Sequence, residues 1–294
     1  MEKKGPSRRK ILAGAAAAGA YSALSKTLGA EERPAAPAPA PDFPLVDYHA
    51  HLDNLGLERA LEISQRRGVK FGIVEHAGTK ENQYPIVLSN DDELKRYIAM
   101  LDGKPVFKGV QTEWVDWASC FSKDVVAQLD YVLTDAMTYP GKDGRRVKLW
   151  ERDAPERVDM ADRQAFMDRY VDWYVDIMGK QPIDIMANAS WLPAPLANDW
   201  DTFWTPARVK KVIDAALKFG VAIEISSSLR LPKLSFLQLV KEAGVKFSFG
   251  SNLRGERIGT LDYCLEMAKE LGLRREHIFA PAPAGRKPIQ IRNV

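Results

Sequence analysis

The segments Asp47-Tyr48-His49-Ala50-His51 and Ile73-Val74-Glu75-His76 contain three of the four histidines in this 294-residue chain. Each closes an apolar run, Phe43-Pro44-Leu45-Val46 in the first case and Val69 to Val74 in the second. In an extended strand, residues i and i+2 point to one face. His49 and His51 are therefore expected to hold one ion together, with Asp47 behind them on the same face. The alternative is a pair of satisfied structural histidines. A histidine-poor chain that spends its imidazoles this way reads as a metal binder.

Other polar residues stand at equivalent places. Glu113 follows Gly109-Val110-Gln111-Thr112, and Asp135 follows Val132-Leu133-Thr134. Asn188 and Asn252 each follow a further apolar run. Two or three imidazoles with one or two carboxylates suit one or two divalent transition-metal ions, Zn, Mn or Fe. The expected ligands are His49, His51, His76 and Glu113, with Asp135, Asn188 and Asn252 as further oxygen donors. Glu113 is placed to bridge if two ions bind. The asparagines also read as makers of backbone hydrogen bonds at strand ends.

These residues need elements to bring them together. The apolar runs predict strands at Phe43–Tyr48, Val69–Val74, Val106–Thr112, Tyr131–Thr134, Ile183–Ala187, Val221–Ile225 and Val245–Phe249. Amphipathic spacing predicts helices at Leu57–Arg67, Asp91–Leu101, Asp162–Met178, Pro206–Phe219, Phe236–Ala243 and Leu261–Leu271. Phe166, Tyr170, Trp173, Tyr174 and Ile177 recur at spacings of three and four, and Asp162 is placed to cap that helix. Gly220 and Gly244 sit where C-terminal caps belong. Strands alternating with helices give an α/β fold with a parallel sheet. Seven such units predict a distorted, seven-stranded, TIM-like β/α barrel, whose active face is the C-terminal end of its strands. An open doubly wound sheet is the alternative, and no G-x-G-x-x-G supports it. The stretch from Thr138 to Ala161 reads as a long loop over that face.

The N-terminus has another purpose. Ser7-Arg8-Arg9-Lys10-Ile11-Leu12 precedes an Ala- and Gly-rich apolar stretch, the pattern of a twin-arginine signal over residues 1–30. A Pro/Ala linker follows over 31–41, and the barrel domain over 42–294. The signal implies the twin-arginine export machinery as a partner, a periplasmic or secreted protein, and no stable membrane insertion after cleavage. Removing residues 1–30 leaves 36 basic and 38 acidic residues. The folded domain is thus slightly acidic, and nucleic-acid binding is not expected. Cys120 and Cys264 read as free thiols, although one disulfide is possible in an oxidising compartment.

Over about Val46 to Leu271 the chain resembles the polymerase and histidinol phosphatase (PHP) superfamily of metal-dependent phosphoesterases. Asp47-Tyr48-His49-Ala50-His51 is similar to its first motif, Val74-Glu75-His76 to its second and Glu113 to the glutamate of its third. Ala222-Ile223-Glu224-Ile225 with Arg230 resembles the segment before its last motif. The chain departs from the pattern later. Thr134-Asp135-Ala136-Met137 has no histidine, Asn188 replaces one, and the final Ser-Asp-x-His reads Ser251-Asn252-Leu253-Arg254. The resemblance implies a phosphoesterase-like hydrolase using metal-activated water, with one or two metals rather than three. Asp135 or Glu75 would move protons, and Arg254 and Arg230 would grip a small anionic substrate. An amide or lactone hydrolase is the alternative within this architecture. A non-catalytic relative that binds a metal or an anion at a degenerate site is the alternative outside it.

Overall fold

The computed structural model describes residues 41–293 apart from Asn54. The expected signal segment, and the linker up to Ala40, lie outside the described residues. Ten strands run in chain order: β1 Val46–Ala50, β2 Lys70–Ala77, β3 Val87–Leu88, β4 Phe107–Thr112, β5 Tyr131–Thr134, β6 Thr138–Pro140, β7 Arg146–Lys148, β8 Ile185–Met186, β9 Ala222–Ser226 and β10 Phe247–Gly250. The helices that flank the barrel are α1 Leu57–Arg67, α2 Asp91–Leu101, α3 Lys123–Val126, α4 Ala154–Arg157, α5 Arg163–Lys180, α6 Ala194–Ala197, α7 Trp200–Phe203, α8 Pro206–Phe219, α9 Leu234–Glu242 and α10 Asp262–Glu270.

Seven strands pair in parallel in the order β1-β2-β4-β5-β8-β9-β10, and β3 adds briefly to β2. The result is a nearly closed β/α barrel. The seam between β1 and β10 has no continuous ladder. It is held by the Asn252 amide donating to the His49 carbonyl at 3.1 Å. At the opposite end Phe279 bridges the gap, its amide donating to the Phe247 carbonyl at 2.8 Å.

The helices form where local chemistry favours them. Asp162 accepts from the amides of Gln164 and Ala165, each at 3.0 Å, and starts α5. Phe166, Tyr170, Tyr174 and Ile177 then bury the inner stripe of that helix. Thr205 caps α8, Pro206 opens it, and Gly220 ends it in the left-handed conformation at φ 69°.

A small aromatic core fills the barrel lumen. Tyr48, Tyr131 and Phe107 pack there with Phe279 below. The Tyr131 ring lies across Gly72 and Gly109. A β-carbon on Gly72 would stand 2.9 Å from Tyr131 Cζ, and one on Gly109 2.7 Å from Tyr131 Cε1. The glycines thus make room for the ring, and the Tyr131 hydroxyl donates to the Tyr48 carbonyl at 2.7 Å.

The stretch from Thr138 to Ala161, expected as a loop, instead contains the antiparallel β6–β7 hairpin and α4. Arg146 on β7 donates to Asn82 Oδ1 at 2.8 Å and Thr79 Oγ1 at 2.9 Å, tying the hairpin to the segment after β2. Cys120 is half-buried, Cys264 is buried, and both are free thiols. No helix among the described residues is long and apolar enough to cross a membrane.

Candidate metal centre

A β-bulge decides how β1 presents its histidines. Val46 and Asp47 pair with Lys70 and Phe71, but Ala50 pairs with Ile73, so β1 carries one extra residue. The expectation that Asp47 stands on the histidine face is corrected by this shift of phase. Asp47 instead serves the barrel seam. Its Oδ1 accepts from the amides of His49 at 3.0 Å and Ser251 at 2.8 Å, and its Oδ2 from Gly259 at 2.9 Å. Burial raises its pKa, and these hydrogen bonds oppose the rise.

Beyond the bulge, His49 and His51 meet Gln111 of β4. His49 Nδ1 lies 2.7 Å from Glu224 Oε1, and its Nε2 lies 3.1 Å from Gln111 Oε1. A β-carbon on Gly250 would stand 2.6 Å from Glu224 Cδ and 2.8 Å from His49 Cβ, so glycine leaves space for this buried pair. Burial alone would lower the His49 pKa, but the charge and hydrogen bond of Glu224 outweigh it and raise the value. Both His49 nitrogens therefore face acceptor oxygens, the arrangement of an imidazolium.

His51 behaves in the opposite way. Its Nε2 lies 2.9 Å from the same Gln111 Oε1. The amide is oriented by its other end, where Gln111 Nε2 donates to Asp135 Oδ2 at 3.4 Å. With its oxygen toward both imidazoles, Gln111 requires His51 Nε2 to carry the proton and leaves Nδ1 with a lone pair. Burial first, and the nearby His49 charge second, push the His51 pKa well below the ordinary value. His51 is a neutral imidazole with a nitrogen to offer.

His51 belongs to a three-residue group. His51, Asp53 and Glu75 each place one ligand atom within 4.8 Å of the others. His51 Nδ1 and Glu75 Oε2 are both buried and have no hydrogen-bond partner among the described residues. Leaving such atoms unpaired costs about 1–3 kcal/mol each. Burial, then the charge of Asp53, raise the Glu75 carboxyl to about 7. One neutral nitrogen and two carboxylates suit a divalent cation, and a cation would satisfy both orphaned atoms. The residues present fit a metal ion.

The other expected residues lie around this group. His76 Nδ1 is 2.8 Å from Glu113 Oε1, and its ring stacks on Tyr84 at 3.6 Å and on His51 at 4.8 Å. Tyr84 donates its hydroxyl to Glu113 Oε2 at 3.0 Å, so each oxygen of Glu113 has a partner. Asp135 accepts from Asn188 Nδ2 at 3.0 Å and from the Met137 amide at 2.9 Å. The residue keeps some accessible surface, yet the surrounding protein desolvates its carboxyl, and with help from the Glu113 charge this lifts it to about 7. Asn252 Nδ2 donates to Asn188 Oδ1 at 3.1 Å. Arg254 pairs through Nε with Asp53 Oδ2 at 2.9 Å and donates to Asn252 Oδ1 at 3.1 Å. The structure brings all of these together at the C-terminal ends of the strands. Arg230 is turned elsewhere: it pairs with Glu266 at 2.7 Å and lies over the Tyr263 ring.

Sequence reasoning passed over Asp53, Gln111 and Glu224. Each left a signal. Asp53 continues the alternation of Asp47, His49 and His51, and Gln111 and Glu224 are polar residues inside predicted strands.

No protein-family model matches this chain, and no curated protein matches it. Similar solved structures include an HpcH/HpaI aldolase/citrate lyase family protein from Burkholderia cenocepacia, 13% identical over 79% of this chain and 96% of that one, with a TM-score of 0.34. An HpcH/HpaI aldolase from Desulfitobacterium hafniense is 11% identical over 81% of this chain and 95% of that one, with a TM-score of 0.36. A citrate lyase from Burkholderia xenovorans is 9% identical over 78% of each chain, also with a TM-score of 0.36. These are likenesses of fold, and no activity is carried over from them. The expected membership in the PHP superfamily, and with it the phosphoesterase-like hydrolase, is corrected: no family model matches the chain. The physical reason lies in the motifs themselves. They are short polar patterns at strand ends, which any β/α barrel can present, and here the two histidines of the first motif share Gln111 while only His49 also faces Glu224.

Proposed function

We propose that this protein is a metal-dependent enzyme of carbonyl chemistry that acts on a small anionic substrate at the mouth of its barrel. His51, Asp53 and Glu75 hold one divalent transition-metal ion, Zn, Mn or Fe. The observation that carries this reading is that two of the three clustered residues, His51 and Glu75, each keep a buried, unpartnered polar atom, Nδ1 and Oε2. When bound, such an ion supplies Lewis acidity toward a substrate oxygen. Gln111 fixes the tautomer of His51, and Asp135, with its carboxyl near 7, holds or releases a proton at the working pH. Chemistry on a carbon skeleton is favoured by the wall beside Asp53 and Glu75, where Leu52, Leu57, Val87 and Met100 line one cavity. The N-terminal Arg8-Arg9 segment supports twin-arginine export and a periplasmic location.

The test has two parts. Metal content is measured on the exported protein and on His51→Ala and Glu75→Gln. About one equivalent in the parent and loss in both folded variants is the expected result; a folded parent that takes up no Zn, Mn or Fe sinks the site. Exchange of the methyl protons of pyruvate in heavy water, followed by NMR, then tests the chemistry. A metal-loaded protein that gives no exchange above the protein-free rate refutes the carbonyl reading.

A further inference from the structure

The cavity beside the proposed metal centre has a volume of about 550 Å³ and lies between α1 and α2. That size is in the range of small-molecule sites. Its walls make three different demands. At its inner end stand Asp53 and Glu75, the latter with a buried, unpartnered oxygen. Ile86 and Met100 line it as apolar side chains and are 37% and 43% exposed, an arrangement that leaves apolar surface uncovered. The third demand is for negative charge. Arg96 lines the cavity and has no acidic partner among the described residues, whereas Lys80 beside it is paired with Glu93 at 2.9 Å. The first turn of the eleven-residue α1 opens onto the same space. Its N-cap is Gly56, and no side chain among the described residues caps that turn.

An anion satisfies Arg96 and the start of α1, an apolar chain covers Ile86 and Met100, and a cation satisfies Asp53 and Glu75. We infer that this cavity is the binding site for an organic carboxylate with an apolar chain of a few carbons. The carboxylate is taken by Arg96 and the α1 amides, and the chain lies on Ile86 and Met100. The inference rests on the proposed function for its cation, because a second substrate oxygen reaches the ion held at Asp53 and Glu75. Inorganic phosphate has nothing to place on the apolar wall.

Calorimetric titration of the full chain with hexanoate, hexan-1-ol and phosphate, with and without Mn²⁺, tests the assignment. Hexanoate is expected to bind about tenfold more tightly than hexan-1-ol, a single charge-assisted contact being worth about that factor. Arg96→Gln should remove most of this preference while leaving metal content unchanged. Met100→Glu should weaken hexanoate by a similar factor. Both positions are exposed, so neither change threatens folding. Equal binding of acid and alcohol, an unaffected Arg96→Gln, or tighter binding of phosphate than of hexanoate overturns the assignment. His51→Ala separates the two readings. It should lose the metal and still bind hexanoate, which has no second oxygen for the ion; if the parent binds no metal but still binds hexanoate through Arg96, the metal reading fails and the carboxylate site survives.

Discussion

Replacing Gln111 by methionine tests the internal logic of the site. The side-chain oxygen of Gln111 is 3.1 Å from His49 Nε2 and 2.9 Å from His51 Nε2, and its nitrogen faces Asp135. Methionine keeps the approximate shape and removes the acceptor. Two buried imidazole N–H groups then lose their partner, at about 1–3 kcal/mol each, so a stability loss of about 2–6 kcal/mol is expected. His51 also loses the acceptor that requires its proton to sit on Nε2. A ligand that orients a metal-binding histidine typically contributes 10–100-fold in affinity, and Gln111→Met should weaken metal binding by about that factor. Chemical denaturation measures the first quantity, and competition with a chromophoric chelator the second. Nitrogen-detected NMR of labelled histidine reads the tautomer directly in the metal-free parent. A His51 whose proton sits on Nδ1, or a Gln111→Met variant with unchanged metal affinity, refutes the reasoning.

Three further predictions concern the scaffold. Asp47→Asn sets an amide N–H₂ against one of the backbone amides that Asp47 now serves, and should cost about 1–3 kcal/mol in denaturant unfolding; a change below about 0.5 kcal/mol would show that the seam does not depend on this carboxylate. Gly72→Ala collides with the Tyr131 ring and should cost about 1–3 kcal/mol in thermal unfolding, recovered in part by pairing it with Tyr131→Leu. An alanine variant as stable as the parent contradicts the packing of the lumen. Asp184 is buried, and burial raises its carboxyl to about 7 despite a hydrogen bond from the Val132 amide at 2.9 Å. The folded state therefore holds the proton more tightly than the unfolded chain. Its contribution to stability is complete below about pH 4 and falls as pH rises toward 7, by at most about 4 kcal/mol. Asp184→Asn should remove that slope from the pH–stability curve, whereas parallel curves for parent and variant would show that the shift is absent.

The sequence carried the barrel well because alternation of apolar runs and amphipathic helices is a local signal. The ranges of α1, α2 and α8, and of β5, agree with those read from periodicity. β8 is shorter than its apolar run, because residues 183–187 are buried whether or not they pair. The β6–β7 hairpin escaped notice because Pro140 and Gly141 read as a loop, while its anchor, Arg146, acts through side chains remote in sequence. The position of the site was legible for a geometric reason: strand ends of a parallel barrel converge. Its internal division was not. A one-residue bulge moves Asp47 off the histidine face, and nothing in the alternation of Asp47, His49 and His51 announces it. The opposed pKa shifts of His49 and His51 are likewise set by the fold: against burial, the distant Glu224 raises the first, and burial and the His49 charge lower the second.

The aromatic filling of the lumen also constrains traffic. The rings of Phe107, Tyr131 and Phe279 all pack on Tyr48 between the strand ends and the far side. The site is a room with one door. Under the proposed function, a product would leave by the opening through which the next substrate enters, so the two exclude each other. Product inhibition should then be competitive with substrate, and a bulky group attached near Ile86 should slow arrival and departure together.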